Sequence, residues 1–356
     1  MKGVRSGEST LMTSRPPRIL FRADALPELG GGHIMRCLSL ANALSNRGTD
    51  IVFACAPGSA DLVPALARSG YRVLEAARPA DIPKISDWDT GPDAIFVDLY
   101  TSTIADERAF REISPVIAVI EDLPDRQHDC DLLIDQGFDR DEAEYRKRVL
   151  PHTTLMLGPD MVPLRPDFAE KRDTTLTRFL DIERPQSLLI AMGLTDIDGI
   201  SAKMARAARS ALPEAHIKVI IGPSATSRDA LQFMAQTDTQ LEILIDVHDM
   251  ATQMATADLA IGAGGGTALE RCVLGLPSIV IVLADNQQPA ALAMQACGAA
   301  IVGEAGPNIE LEVMAILHAI TGDQLRQMSK RAAELCDGRG AERIATSLLQ
   351  LVASRQ

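Results

Sequence analysis

From Arg18 onward, short apolar runs alternate with stretches whose apolar residues recur at helical spacing. The runs Ile19–Phe21, Ile51–Ala54, Arg72–Leu74, Ala94–Asp98, Val116–Ile120 and Leu132–Ile134 predict strands. Between the first two, Ile34, Cys37, Leu38, Ala41 and Leu44 predict a helix over His33–Asn46, and Ser59–Ser69 and Thr103–Arg111 predict two more. A second series follows, with strands at Leu188–Ala191, Ile217–Ile221, Ile243–Ile245, Leu259–Ile261 and Ile279–Leu283. Its helices are Ile200–Ala211, Ala225–Ala235, Thr267–Leu274 and Gln287–Gly298, closed by Glu310–Thr321 and Asp323–Leu351. Strand, helix, strand in repetition implies parallel sheets with helices on both faces. Between the series, Pro151, Pro159, Pro163, Pro166 and Pro185 interrupt the rhythm. The expected fold class is α/β, two Rossmann-like domains facing across a cleft. The expected divisions are a disordered extension at 1–17, a first domain at 18–165, a junction at 166–185 and a second domain at 186–356. Ligands of such sheets sit beyond the carboxyl ends of the strands.

Composition removes several classes of partner. The 356 residues carry 35 basic and 48 acidic side chains, a net charge of −13, which argues against a nucleic-acid binder. Eight Phe, three Tyr and one Trp are too few for base-stacking platforms. No apolar run reaches the length of a membrane span, and the first seventeen residues lack the apolar centre of a secretory signal. Cys37, Cys55, Cys130, Cys272, Cys297 and Cys336 are scattered without a CxxC pair, as for reduced thiols in a cytoplasmic protein. No HExxH motif or acidic metal cluster appears, so neither a metal nor a cofactor is expected. A monomer suffices for the inferred organisation.

Two glycine-rich loops carry the candidate chemistry. The first, Arg22 to His33 with Asp24, Gly30, Gly31 and Gly32, joins the first strand to the first helix. It is not a dinucleotide fingerprint: Met35 stands at the third glycine position, and the second strand ends in Ala54-Cys55 without an acid. His33 at the loop's mouth is a candidate base, since a helix N-terminus disfavours imidazolium; its alternative is a cap bonded to backbone. The second loop runs through Gly262, Gly264, Gly265 and Gly266 to Thr267, whose N–H groups and hydroxyl suit a nucleotide diphosphate. Glu270 suits ribose hydroxyls or simply the helix dipole, and Asn286 and Gln287 suit sugar hydroxyls or a helix cap.

These segments resemble a known family. Arg22-x-Asp24, Gly30-x-Gly32-His33 and Met35-Arg36-Cys37 are similar to the opening motif of the UDP-2,4-diacetamido-2,4,6-trideoxy-β-L-altropyranose hydrolases of pseudaminic acid biosynthesis. Asp98-Leu99-Tyr100, Glu121-Asp122, Leu164-Arg165-Pro166-Asp167-Phe168 and Met192-Gly193-Leu194-Thr195-Asp196 continue the resemblance over nearly the whole chain after Arg18. The second glycine loop through Asn286-Gln287 is also similar to the UDP-sugar site of the lipid II-forming N-acetylglucosaminyltransferase. Two positions depart: Leu26 stands where many members have Ser, and Leu99 where His is frequent.

The resemblance implies a glycosyltransferase-B type fold, a UDP-sugar substrate and UDP as product. It implies His33 as the base that activates water for attack at the anomeric carbon with inversion. It places Arg22, Asp24, Gly30, Gly32, Tyr100, Arg165, Gly193 and Thr195 against the substrate, with Gly265, Gly266, Thr267, Glu270, Asn286 and Gln287. Asp24 also reads as a residue that orients its own loop. A glycosyltransferase, a hydrolysing UDP-sugar 2-epimerase and a non-catalytic nucleotide-sugar binder are the competing readings.

Overall fold

The computed structural model describes residues 15–26, 30–78, 80–82, 85, 88–138, 140–193 and 196–355. The expected extension therefore lies outside the described residues up to residue 14, as does Thr195. Residues 15–17 are fastened: Arg15 Nη1 sits 2.6 Å from Asp93, and the Asp50 N–H donates to the Pro17 carbonyl at 2.8 Å.

Seven strands form the first sheet: β1 (Arg18–Ala23), β2 (Asp50–Cys55), β3 (Arg72–Glu75), β4 (Ala94–Asp98), β5 (Val116–Ile120), β6 (Leu132–Asp135) and β7 (Thr154–Leu157). Their order is β3-β2-β1-β4-β5-β6-β7. Six form the second: β8 (Ser187–Ala191), β9 (His216–Ile221), β10 (Leu241–Ile245), β11 (Leu259–Ala263), β12 (Ser278–Val282) and β13 (Ala300–Glu304), in the order β10-β9-β8-β11-β12-β13. Chain contacts group residues through Ile120, Arg126–Leu132 and Ala345 onward as one compact unit, and Glu121–Asp125 with Leu133–Ile344 as the other.

Why these runs make strands is visible in their burial. Every residue of β4 and of β5 is buried, the continuous apolar pattern of strands covered on both faces. Phe21 of β1 lies 5.0 Å from the Phe53 ring of β2 and 5.2 Å from Phe96 of β4, so adjacent parallel strands share one aromatic layer. In the second unit Leu188, Ile190, Ile217, Val219, Leu259, Ile261 and Ile279 build the equivalent core.

Both orders reverse beside the first strand of the sheet, β1 or β8. The chain leaves β1 to one side toward β2 and returns on the other at β4; β8, β9 and β11 repeat the plan. A crevice opens at such a reversal, beyond the carboxyl ends of the two diverging strands. The register places Ala23 against Asp98 in the first sheet and Ala191 against Gly262 in the second, which brings the candidate loops to these points.

Several segments differ from the sequence expectation: the strand β13 was not expected, and the helix expected over Ser59–Ser69 is two, Ser59–Leu62 and Pro64–Arg68. Residues 166–178, inside the expected junction, form a helix, because Pro166 occupies its first turn, where a missing N–H costs nothing. The strand β7 spans only four residues between prolines and escaped the apolar count. The long final helix is two helices, Gly322–Leu335 and Gly340–Arg355. Gly338 between them has φ +80°, and a Cβ at Gly340 would strike the Val162 carbonyl oxygen. Among the described residues no helix is long and apolar enough to cross a membrane.

Candidate active site

At the first reversal the helix Gly32–Ser45 begins, and its second residue is His33. Gly30 precedes it at φ +71°, a conformation that L side chains rarely adopt, and its N–H donates to the Leu26 carbonyl at 2.8 Å. The helix buries Ile34, Leu38, Ala41 and Leu44, which fixes its rotation and turns His33 and Arg36 toward the end of β4. There Asp98 Oδ1 lies 2.5 Å from His33 Nδ1. Arg36 clamps the same carboxylate with Nε at 2.6 Å from Oδ2 and Nη2 at 2.6 Å from Oδ1. An ionised carboxylate only accepts, so His33 holds a proton on Nδ1 toward Asp98, which in the neutral ring leaves Nε2 as the acceptor. Tyr100 stands edge-on to the imidazole, ring centres 4.6 Å apart and planes at 89°, and it is exposed rather than buried at a strand end.

Electrostatics hold this arrangement. Burial alone would raise the Asp98 carboxyl; the Arg36 charge and the bonds from Arg36 and His33 outweigh it and keep it well below the usual carboxylate range. A depressed folded-state pKa contributes stability that is complete above the unfolded value of about 3.9 and is lost as pH falls below it. Stability measured by urea unfolding should therefore fall more steeply with pH in the wild type below about pH 4, as this contribution is lost. Asp98→Asn should remove that part of the slope below about pH 4.

The remaining first-loop residues divide. Arg22 is fully buried, and its guanidinium bonds Asp24 and the carbonyls of Ala54, Ala76 and Arg78. These bonds hold the frame of the sheet edge. Asp24 accepts from Arg22 at 2.5 Å and from the Ala56 N–H at 2.7 Å, which fastens its loop to the end of β2. Its carboxylate still lines a small recess with Leu26, His33, Asp98, Leu99 and Tyr100. A Cβ on Gly32 would meet nothing within 4 Å, whereas one on Gly31 would stand 2.7 Å from Val63 Cγ2. Gly31, not Gly32, is the position where close packing demands glycine.

At the second reversal, β11 ends in the loop Gly264–Gly266, and the helix Thr267–Val273 follows. Gly266 is exposed, and Gly265 and Thr267 are half-buried. Gln287 packs on the loop: its Oε1 accepts from the Leu283 N–H at 3.1 Å, and a Cβ on Gly264 would stand 3.2 Å from its own Cβ. Asn286, exposed in the turn Asp285–Gln287, lies beside it in sequence. Gly193 follows β8 at φ +107° and is exposed. Asp196 takes φ +47° and is buried; its carboxylate accepts from the N–H groups of Ser201 and Ser227. Glu270 Oε2 is enclosed with no hydrogen-bond partner among the described residues. Burial pushes this carboxyl up to about 7 against the pull of Arg165 and Arg271. Arg165 donates to the His248 carbonyl at 2.8 Å and lies over the Phe168 ring, so its charge is fixed near Glu270.

Sequence reasoning missed the roles of Asp98, Arg36 and Arg271. A signal existed for the first two: an acid as the last residue of a buried strand, and an arginine one helical turn after His33. Arg271 is buried beneath the second loop. A Cβ on Gly262 would stand 2.5 Å from its Nη1 and 3.1 Å from the Ala191 carbonyl oxygen. Gly262→Ala should lower stability by about 1–3 kcal/mol in urea unfolding, because neither the guanidinium nor the neighbouring strand has room to retreat.

The architecture is that of the glycosyltransferase-B type α/β proteins, and residues 199–338 match the model of the glycosyltransferase family 28 C-terminal domain. MurG of Acinetobacter baumannii superimposes with a TM-score of 0.66 at 14% identity, over 94% of this chain and 100% of that one. UDP-GlcNAc 2-epimerase from Neisseria meningitidis, bound to UDP-GlcNAc, gives 0.60 at 12% identity, over 93% and 100%. By sequence, the chain is similar to the UDP-2,4-diacetamido-2,4,6-trideoxy-beta-L-altropyranose hydrolase of Campylobacter jejuni, 24% identical over 275 residues, covering 77% of this chain and 94% of the relative. It is 25% identical over 276 residues to the uncharacterized protein MJ1062 of Methanocaldococcus jannaschii, covering 76% of this chain. The chain spans 56% of that relative's length.

Proposed function

We propose that the protein is a cytoplasmic nucleotide-sugar hydrolase that releases UDP from UDP-2,4-diacetamido-2,4,6-trideoxy-β-L-altropyranose, a step of pseudaminic acid biosynthesis that leads to flagellin glycosylation. The observation that carries the reading is the His33–Asp98 pair, an imidazole with a fixed tautomer and an available Nε2 at a strand reversal. His33 Nε2 takes a proton from water as the oxygen attacks C1, and UDP departs from the opposite face with inversion. Asp98 stabilises the imidazolium that forms, and Tyr100 flanks the ring on the ligand side. The backbone N–H groups of Gly265, Gly266 and Thr267 take the diphosphate, Glu270 the ribose hydroxyls, and Asn286 and Gln287 the adjoining sugar hydroxyls. Gly193, Thr195 and Arg165 complete that set, and Gly30 and Gly32 admit the sugar near His33. The C. jejuni hydrolase supports the choice of sugar, and the solved UDP-GlcNAc complex supports the choice of nucleotide.

The test is incubation with this UDP-sugar against UDP-GlcNAc, with release of UDP and of free sugar followed by chromatography. The proposal expects stoichiometric UDP and reducing sugar from the first and none from the second. UDP release only when an acceptor alcohol is added would favour a glycosyltransferase. Nucleotide binding carries its own expectation. A carboxylate accepts ribose hydroxyls better when ionised, so affinity should rise as pH climbs through about 7, where Glu270 titrates. Glu270→Gln should weaken UDP binding about tenfold at pH 8 and flatten that rise. Calorimetric titration of both proteins separates this effect from the phosphate's own ionisation.

A further inference from the structure

We infer that Arg271 is a buried positioning residue whose charge, bonded only to neutral oxygens, and whose bond to Thr267 prepare the second glycine loop for an anion. The inference rests on the proposal that a nucleoside diphosphate is held at that loop.

Arg271 is 1% exposed, and its guanidinium runs back beneath the loop that its own helix follows. Nε donates to Ser278 Oγ at 3.1 Å, Nη2 to the Ala263 carbonyl at 2.9 Å and Nη1 to Thr267 Oγ1 at 3.3 Å. All three acceptors are neutral oxygens. Among the described residues no carboxylate hydrogen-bonds or pairs with this cation. Its neighbour Glu270 attracts it through space but makes no hydrogen bond to it. Burial lowers Arg271 to about 10, which leaves it charged at neutral pH.

A cation enclosed without a bonded counter-ion costs folding energy that an apolar side chain of similar volume would not. Here the strand has also given up a side chain at Gly262 to admit it. No carboxylate of the described residues is bonded to the charge, so a ligand phosphate is the partner that its position serves. The bond to Thr267 adds direction. A hydroxyl has one proton and two acceptor positions. With Arg271 donating to the oxygen, the Thr267 proton is left to point away from the guanidinium as a donor. Charge and hydroxyl thus act on the same phosphate oxygens, and neither concerns the nucleoside.

Calorimetry with UDP and with uridine separates these contributions in the full chain. Thr267→Val and Arg271→Met are each expected to weaken UDP about 10–100-fold, as for loss of a hydrogen bond to a charged group, with uridine affinity within about twofold. Combined, they should fall well short of the product of the single losses, because one acts through the other. Thr267→Ser should restore UDP binding. Where Arg271→Met does not fold, Arg271→Lys takes its place; it keeps the charge, reaches fewer acceptors, and should give a smaller loss confined to UDP. Equal losses for uridine and UDP would reduce Arg271 to a structural role and overturn the inference, as would unchanged UDP binding by Thr267→Val. Failure of the wild-type protein to bind UDP would instead overturn the proposed function on which it rests.

Discussion

Replacing His33 with Ala should reduce UDP release about 10²–10⁴-fold, the range expected for loss of a general base. The chain should still fold, because Asp98 keeps both bonds from Arg36 after the imidazole is gone. UDP affinity should change little, since the diphosphate and ribose contacts proposed here belong to the other unit. The comparison therefore separates chemistry from binding: turnover measured at saturating substrate, and Kd for UDP measured by calorimetry. A variant with normal turnover would remove His33 from the mechanism.

Asp98→Asn should have an effect of similar size for a different reason. Both carboxylate oxygens accept from Arg36, and Oδ1 accepts from His33 as well. An amide keeps a single acceptor, sets its NH₂ against a guanidinium donor in either orientation, and carries no charge to stabilise the imidazolium that forms. Turnover should fall by about 10²–10⁴-fold while UDP affinity changes little. Turnover at saturating substrate and calorimetry with UDP read the two effects separately. Asp98→Ala is a harsher change, since it removes the buried carboxylate that both His33 and Arg36 bond, and it should lower stability in urea unfolding.

Much of the fold was legible because its strands are nearly pure apolar runs and its helices carry buried faces at regular spacing. Ala94–Asp98, Val116–Ile120 and Ile217–Ile221 were recognisable for that reason. Proline accounts for two of the differences. Pro166 begins a helix, and Pro159 begins a single helical turn just after β7. Gly338 and Gly340, which end one helix and begin the next, lie in a polar segment that the periodicity passed over.

The site was legible in part. Glycines between a strand and a helix announce a loop that a ligand can approach, and His33 follows such a loop directly. Asp98 is far from His33 in sequence, and only the parallel pairing of β1 with β4 brings the strand end to the helix start. The resemblance alone places Arg22 against the substrate; in the fold, its place inside β1 sets the guanidinium at the sheet edge, bonded to Asp24 and to three carbonyls. Arg271 and Glu270 adjoin in sequence, and tertiary burial alone reveals that one is an enclosed cation and the other an enclosed acid.

The central claim is attack of water at the anomeric carbon of a UDP-activated 6-deoxy diacetamido sugar. Its most direct test is a single incubation in heavy-oxygen water, with released sugar and UDP analysed separately by mass spectrometry before the sugar exchanges. The label is expected in the sugar at C1, with none in UDP. Label in the diphosphate would place the attack at phosphorus and contradict it.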